Sequence, residues 1–130
     1  SAYCSNVSGV IIGKKNSSPL SPAAFKSSAG LAENIDIYED LSSLSATRSA
    51  LKNGYKIYLA DFGGEPINII NIGKEPICLI IGSEGFGVKK ELRSMGTIVS
   101  IPQKRIDISY NASVAGGIIM FNFASKLGFL

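Results

Sequence analysis

A chain of 130 residues is one domain's worth of polypeptide, long enough to bury well over half of its unfolded surface, and its net charge of +3 permits a nucleic-acid partner without demanding one. Hydrophobic residues make up 45% of the chain but are dispersed, with no run near the roughly 18 needed to span a bilayer and no charged-then-apolar leader. Histidine is absent and the two cysteines, Cys4 and Cys78, stand far apart, which excludes a zinc site and any Ser-His-Asp or Cys-His catalytic unit and reads both thiols as buried apolar groups in a reducing cytosol.

The chain opens at Ser1 without an initiator Met, and Val10-Ile11-Ile12 follows so soon that the start reads as a cut. Val7 to Ile12 is expected to be a short strand, and Gly13-Lys14-Lys15-Asn16-Ser17-Ser18-Pro19 the loop after it. Pro22 suits the first turn of a helix over Ala23 to Ala29, ended by Gly30, and Ile35 to Tyr38 alternates like a strand. Leu41 to Asn53 repeats apolar residues at helical spacing, with Asp40 as the expected N-cap and Gly54 as the stop. Tyr55 to Ala60 and Ile77 to Ile81 are near-continuous apolar runs, the pattern of strands buried on both faces of a parallel sheet. Val88 to Met95 is expected to be helical and Ile98 to Ile101 a strand. Ser113 to Leu127, apolar almost all round, is expected to be a helix enclosed by protein on most sides. The alternation predicts a doubly wound α/β domain with a mainly parallel sheet flanked by helices, whose ligand gathers beyond the carboxyl ends of the strands, at the loops after Ile81 and Ile101.

The first of those loops is Ile81-Gly82-Ser83-Glu84-Gly85-Phe86-Gly87. Gly82 and Gly87 have the glycine spacing of a P-loop, but Val88 stands where the lysine belongs, and Glu84 would repel a phosphate; a G-x-G-x-x-G dinucleotide turn fails as well. A nucleotide triphosphatase is therefore set aside. A cationic sulfonium tolerates a nearby carboxylate, and a plain strand-to-helix turn with a solvated Glu84 stands beside that reading. The second segment is Ile101-Pro102-Gln103, followed by Ser109-Tyr110-Asn111-Ala112-Ser113-Val114-Ala115-Gly116-Gly117. Ser109, Asn111 and Ser113 read equally as helix caps, and Gly116-Gly117 as backbone packed tightly on a neighbour, either chain or ligand.

Together these segments resemble the second and third motifs of the SpoU/TrmH family of RNA ribose 2'-O-methyltransferases, in the SPOUT superfamily. The family's G-[SA]-E-G loop is Gly82-Ser83-Glu84-Gly85 here, its Ile-Pro is Ile101-Pro102, and its S-L-N-x-S-V-A-x-G is Ser109 to Gly117, with Tyr110 in place of leucine. The Ser17-Ser18-Pro19-Leu20-Ser21-Pro22 stretch also looks like the family's loop after an early strand. The resemblance implies a SPOUT fold with a deep carboxyl-terminal trefoil knot and S-adenosylmethionine as methyl donor, held by Gly82, Ile101 and Tyr110. It assigns catalysis to Glu84, Ser109 and Asn111, requires no metal, and makes RNA the substrate, rRNA ahead of tRNA. It also implies a homodimer through the last helix, no membrane association, and a bacterial cytoplasm or an organellar matrix as the location. Ser1-Ala2 looks like the end of the family's first motif, N-x-G-x-x-x-R-[ST]-A, so the activating arginine and the RNA-binding domain are expected upstream, and the 130 residues alone are expected to turn over slowly. Lys14, Lys15, Lys104 and Arg105 are candidates for a phosphate-binding rim, with solvated loop charges as the other reading. A non-catalytic RNA- or adenosyl-binding knotted module is the competing function.

Overall fold

The structure, a computed structural model, describes residues 1–13, 22–83 and 85–130, with the backbone alone at 23–25. After a 3-10 turn over Tyr3–Ser5, the elements run β1 (Gly9–Gly13), α1 (Pro22–Ser27), a 3-10 turn (Leu31–Asn34), β2 (Asp36–Asp40), α2 (Ser43–Lys52), β3 (Lys56–Pro66), β4 (Ile77–Ile81), a 3-10 helix (Lys90–Met95), β5 (Thr97–Ser100) and α3 (Ala112–Lys126). The expected loop at Lys14 to Pro19 lies outside the described residues.

Every strand pairing is parallel, as the apolar runs require, but the strands form two sheets in place of the one expected: β1 with β2, and β4-β3-β5. Helix α2 packs against both. The sequence of β2 gives the reason it stays outside the main sheet, since Asp36-Ile37-Tyr38-Glu39-Asp40 carries three carboxylates that double burial would desolvate. No charge interrupts residues 57–60 of β3. Ile57, Tyr58 and Leu59 are all buried there, because alternate side chains enter different cores. Ile57 and Leu59 join Val88 and Leu92 on one side, with Leu44 and Ala50 of α2 packed against them. Tyr58 joins Val99, Ile67, Ile70 and two α3 residues, Ile119 and Phe123, on the other. Each fully buried aliphatic side chain contributes about 1.5–3 kcal/mol. The Tyr58 and Phe123 rings meet edge to face at 5.1 Å, an arrangement favoured by their quadrupoles. Burial raises the Tyr58 phenol pKa, with Glu75 and Glu65 adding to the effect by charge repulsion.

Four expectations are corrected. Helix α2 is capped by Ser42, whose hydroxyl accepts from Ser45 N–H at 3.2 Å, while Asp40 ends β2 and Leu41 is exposed in between. Ser42 wins the cap because it alone sits in extended conformation one residue before the first helical turn. The segment after the glycine loop is 3-10, not α-helical, over its six residues: it must bury Leu92 and return the chain to β5 within a very short span, for which i→i+3 bonding suffices. Helix α3 is not enclosed on most sides by this chain. Gly116, Ile119, Phe123 and Ala124 are buried, whereas Val114, Ile118 and Phe121 face outward. Finally, Cys4 is exposed in the amino-terminal turn, and only Cys78, on β4, packs against a core.

Among the described residues, no helix is long and apolar enough to cross a membrane. Burial raises the Cys78 thiol pKa, so it forms the reactive thiolate less readily than an open thiol does. Alkylation of the native protein is therefore expected to modify Cys4 alone, with Cys78 following only after denaturant is added. Equal labelling of both under native conditions, read by mass spectrometry, would contradict the packing of β4.

Candidate functional site

The three strands of the main sheet all point their carboxyl ends the same way, so the loops that follow them meet. Strand β3 pairs with β5 through Ala60 and Val99, then skips, so that Glu65 again faces Val99 and residues 61–64 bulge out of the ladder. Ser100 Oγ donates to the Gly64 carbonyl at 2.9 Å and closes the base of this bulge. The bulge delivers Asp61 and Phe62 to a cavity of about 640 Å³, which the loop after β4, the loop after β5 and the start of α3 complete. A volume of that order accommodates a small organic ligand. The apolar part of its lining comes from Ala60, Ile81, Val99, Ile101 and Ile119, and the polar part includes Asp61, Ser83, Gln103, Ser109 and Asn111. A second hollow of about 520 Å³ lies between the Tyr3–Ser5 turn and Phe129–Leu130; no strand of the main sheet opens into it.

Of the residues singled out in the sequence, Gly82, Ile101, Ser109, Tyr110 and Asn111 all line the one cavity. Glu84 lies outside the described residues. Gly82 is held flush against the far side of its own loop: a Cβ there would stand 2.2 Å from the Gly87 carbonyl carbon and 2.5 Å from Val88 N. Asn111 is the cap of α3, its Oδ1 accepting from Ser113 N–H at 3.0 Å, Val114 N–H at 3.4 Å and the Ser113 hydroxyl at 2.5 Å. Its side-chain carbonyl is thereby committed to the helix. The tight neighbours of Gly116 and Gly117 are also identified. A Cβ on Gly116 would run into Ile81 Cδ1 at 2.5 Å, and one on Gly117 would meet Ser1 Oγ at 3.3 Å. Helix α3 thus sits directly on the end of β4, with the amino terminus beside its first turns.

Two residues of the candidate basic rim fall within the described residues. Lys104 is exposed, but Arg105 is ion-paired with Asp107, two residues on, and Lys14 and Lys15 lie outside the described residues. The guanidinium beside Asp107 lowers that carboxyl's pKa, and the carboxylate in turn raises that of Arg105.

Two contributors have roles that the sequence pattern does not assign. Asp61 accepts from Phe62 N–H at 2.8 Å and is ion-paired with Arg93 of the 3-10 helix, tying the β3 bulge to the segment that follows the glycine loop. A carboxylate immediately after the apolar run 55–60 was a usable signal, because strand ends are where such sheets bind; its partner 32 residues away was not. Gln103 donates from Nε2 to the Ile108 carbonyl at 2.7 Å and also to that of Arg105, folding the loop that presents Ser109.

The family model described as the SpoU rRNA Methylase family matches residues 1–121. The mitochondrial rRNA methyltransferase 1 of Dictyostelium discoideum is 36% identical over 135 residues, covering 93% of this chain and 24% of its own length. An uncharacterized tRNA/rRNA methyltransferase of Borreliella burgdorferi is 32% identical over 123 residues, covering 93% of this chain and 54% of its own. The chain therefore spans a quarter to about half of these curated relatives. Among solved structures, the AdoMet-bound rRNA methyltransferase of Sinorhizobium meliloti superposes with a TM-score of 0.86 at 25% identity, over 97% of this chain and 49% of that one. The SpoU methyltransferase AviRb of Streptomyces viridochromogenes, in complex with AdoMet, does so with a TM-score of 0.81 at 21% identity, over 96% of this chain and 52% of that one, a likeness of fold.

Because the atoms nearest a Gly82 side chain are backbone, Gly82→Ala has no flexible neighbour to displace. It is expected to cost about 1–3 kcal/mol of stability by overpacking, measured by urea unfolding, and to shift the loop after β4. A stability equal to that of the parent chain would show that the loop relaxes freely and that the contact at Gly87 is not a constraint.

Proposed function

The chain belongs to the SpoU rRNA methylase family, and we propose that it transfers a methyl group from S-adenosylmethionine to a ribose 2'-hydroxyl of RNA, with rRNA as the leading substrate class. The observation that carries this reading is the convergence of three strand-end loops and the α3 amino terminus on one half-apolar cavity. The residues present fit an adenosyl group. Ile81, Ile101 and Ile119 offer a flat ring apolar surface, and Gly82 allows close backbone approach. Gly82, Ile101 and Tyr110 are the proposed donor-binding residues.

When bound, the donor supplies an electrophilic methyl on a sulfonium, so the protein's part is to bring the ribose oxygen into line and to help it lose its proton. In this proposal Ser109, presented by the Gln103-braced loop, orients the hydroxyl through its own Oγ. Asn111 contributes chiefly by fixing the first turn of α3 against the reacting groups, since its Oδ1 already serves three donors. Asp61 is engaged in its ion pair with Arg93, and Glu84 remains the carboxylate assigned by the family motif. The arginine that the first motif would carry next to Ser1 is the proposed activating cation; Ser1 lies against Gly117, so that position adjoins the first turns of α3. The deep trefoil knot is part of the same proposal, supported by the likeness of fold over nearly the whole chain. So is location in a bacterial cytoplasm or an organellar matrix, supported by relatives of both kinds.

Calorimetry with S-adenosylmethionine and S-adenosylhomocysteine tests donor binding directly. Saturable binding of both is expected, and single-turnover methylation is expected to rise by about 10²–10⁴-fold when an arginine precedes Ser1. Absence of donor binding would discard the reading, and binding without methyl transfer in either form would leave a non-catalytic adenosyl-binding module.

A homodimer through α3 is proposed on the exposed Val114, Ile118 and Phe121, which share one face of the helix at i, i+4 and i+7. Phe121→Glu is expected to halve the sedimenting mass while leaving the circular dichroism spectrum intact. A parent chain that sediments as a monomer would refute the dimer.

A further inference from the structure

We propose that Phe86 is a base-stacking residue for the RNA, holding the nucleobase of a splayed nucleotide at the cavity mouth; this rests on the methyl-transfer reading above. Phe86 is 93% exposed, the most open large apolar side chain among the described residues. A phenyl ring so placed removes almost no surface from water and contributes nothing to the fold. A single exposed apolar residue is ordinary; the placement of this one is not. It lines the strand-end cavity, at the tip of a turn closed by Gly87 N–H donating to the Ser83 carbonyl at 3.0 Å. Gly85 (φ 85°) and Gly87 (φ 65°) stand on either side of it in the left-handed region, so the backbone holds the ring outward.

Tyr110, 45% exposed, lines the same cavity. Ser109 and Asn111 lie beside it in the same lining. The lining around Phe86 therefore combines an exposed aromatic ring with polar side chains. A nucleotide turned out of its helix has the matching character: a flat apolar base on a polar ribose and phosphate. Two cations, Lys89 and Lys90, are exposed within four residues of the ring. Exposed cations on the segment that follows a projecting aromatic suit a polyanion carrying bases better than an apolar peptide.

The protein has no tryptophan, so Phe86→Trp installs a single fluorescent reporter at the proposed contact. Its emission is expected to be quenched by a short oligoadenylate and unchanged by an abasic oligonucleotide of the same length and charge at the same salt. Phe86→Ala, which disturbs no packing, is expected to weaken oligoadenylate binding by roughly 5- to 100-fold and Phe86→Tyr to retain it. S-adenosylhomocysteine affinity is expected to be equal in all four proteins. Equal quenching by the abasic chain overturns the stacking, because phosphate attraction alone would then explain binding. A Phe86→Ala protein that loses S-adenosylhomocysteine affinity, or whose sedimenting mass changes, also overturns it, assigning the ring to the donor pocket or to a second copy. If the unsubstituted protein binds no S-adenosylhomocysteine, the underlying methyl-transfer reading fails; if it does and only base dependence is missing, the failure is confined to Phe86.

Discussion

The burial of β3 on both of its faces is the constraint from which the rest of the structure follows. A strand whose consecutive residues Ile57, Tyr58 and Leu59 all leave water needs a layer above and a layer below. Helix α2 and the Lys90–Met95 segment supply one, and α3 supplies the other. Parallel neighbours on both edges then fix where β4 and β5 end. Once those ends are aligned, the three loops have nowhere to go but the same space.

Among the described residues that line that space, position is set by backbone, hydrogen bonds and one paired carboxylate. The chain has no imidazole, Asp61 is held by Arg93, and Arg105 is held by Asp107. Exposed pairs of this kind contribute about 1 kcal/mol or less to stability, so their larger consequence is geometric. Asp61 and Arg93 lock the β3 bulge to the segment beyond the glycine loop, and Gln103 folds the loop that carries Ser109. A reaction driven by alignment of two reactants is well served by such a site, since misplacement, not lack of a strong base, is what it must avoid.

Much of the fold was readable from local pattern. The bounds of β4 agree with its apolar run to the residue, and α3 begins and ends within one residue of its expected limits. The motif residues Gly82, Ile101, Ser109, Tyr110 and Asn111 share a cavity because each belongs to a loop or cap at the same end of the sheet. The capping reading of Asn111 was correct too; the helix uses its side chain whatever else the residue does. Where local pattern misled, a long-range contact decided. Asp40 and Ser42 are both good caps by type, and only the length of β2 selects between them.

Sequence by itself determined which segments are strands, that they run parallel, and which two glycine- and serine-bearing loops follow the strand ends that line the cavity. It did so because hydrophobic periodicity, capping chemistry and turn residues act over a few neighbours and are printed in order along the chain. Only the tertiary structure decided that β1 and β2 form a sheet of their own, that residues 61–64 leave the ladder, that Asp61 meets Arg93, and that one face of α3 and the ring of Phe86 stay in water. Those outcomes depend on which distant surfaces compete for the same partner, and that competition has no local signature in the order of residues.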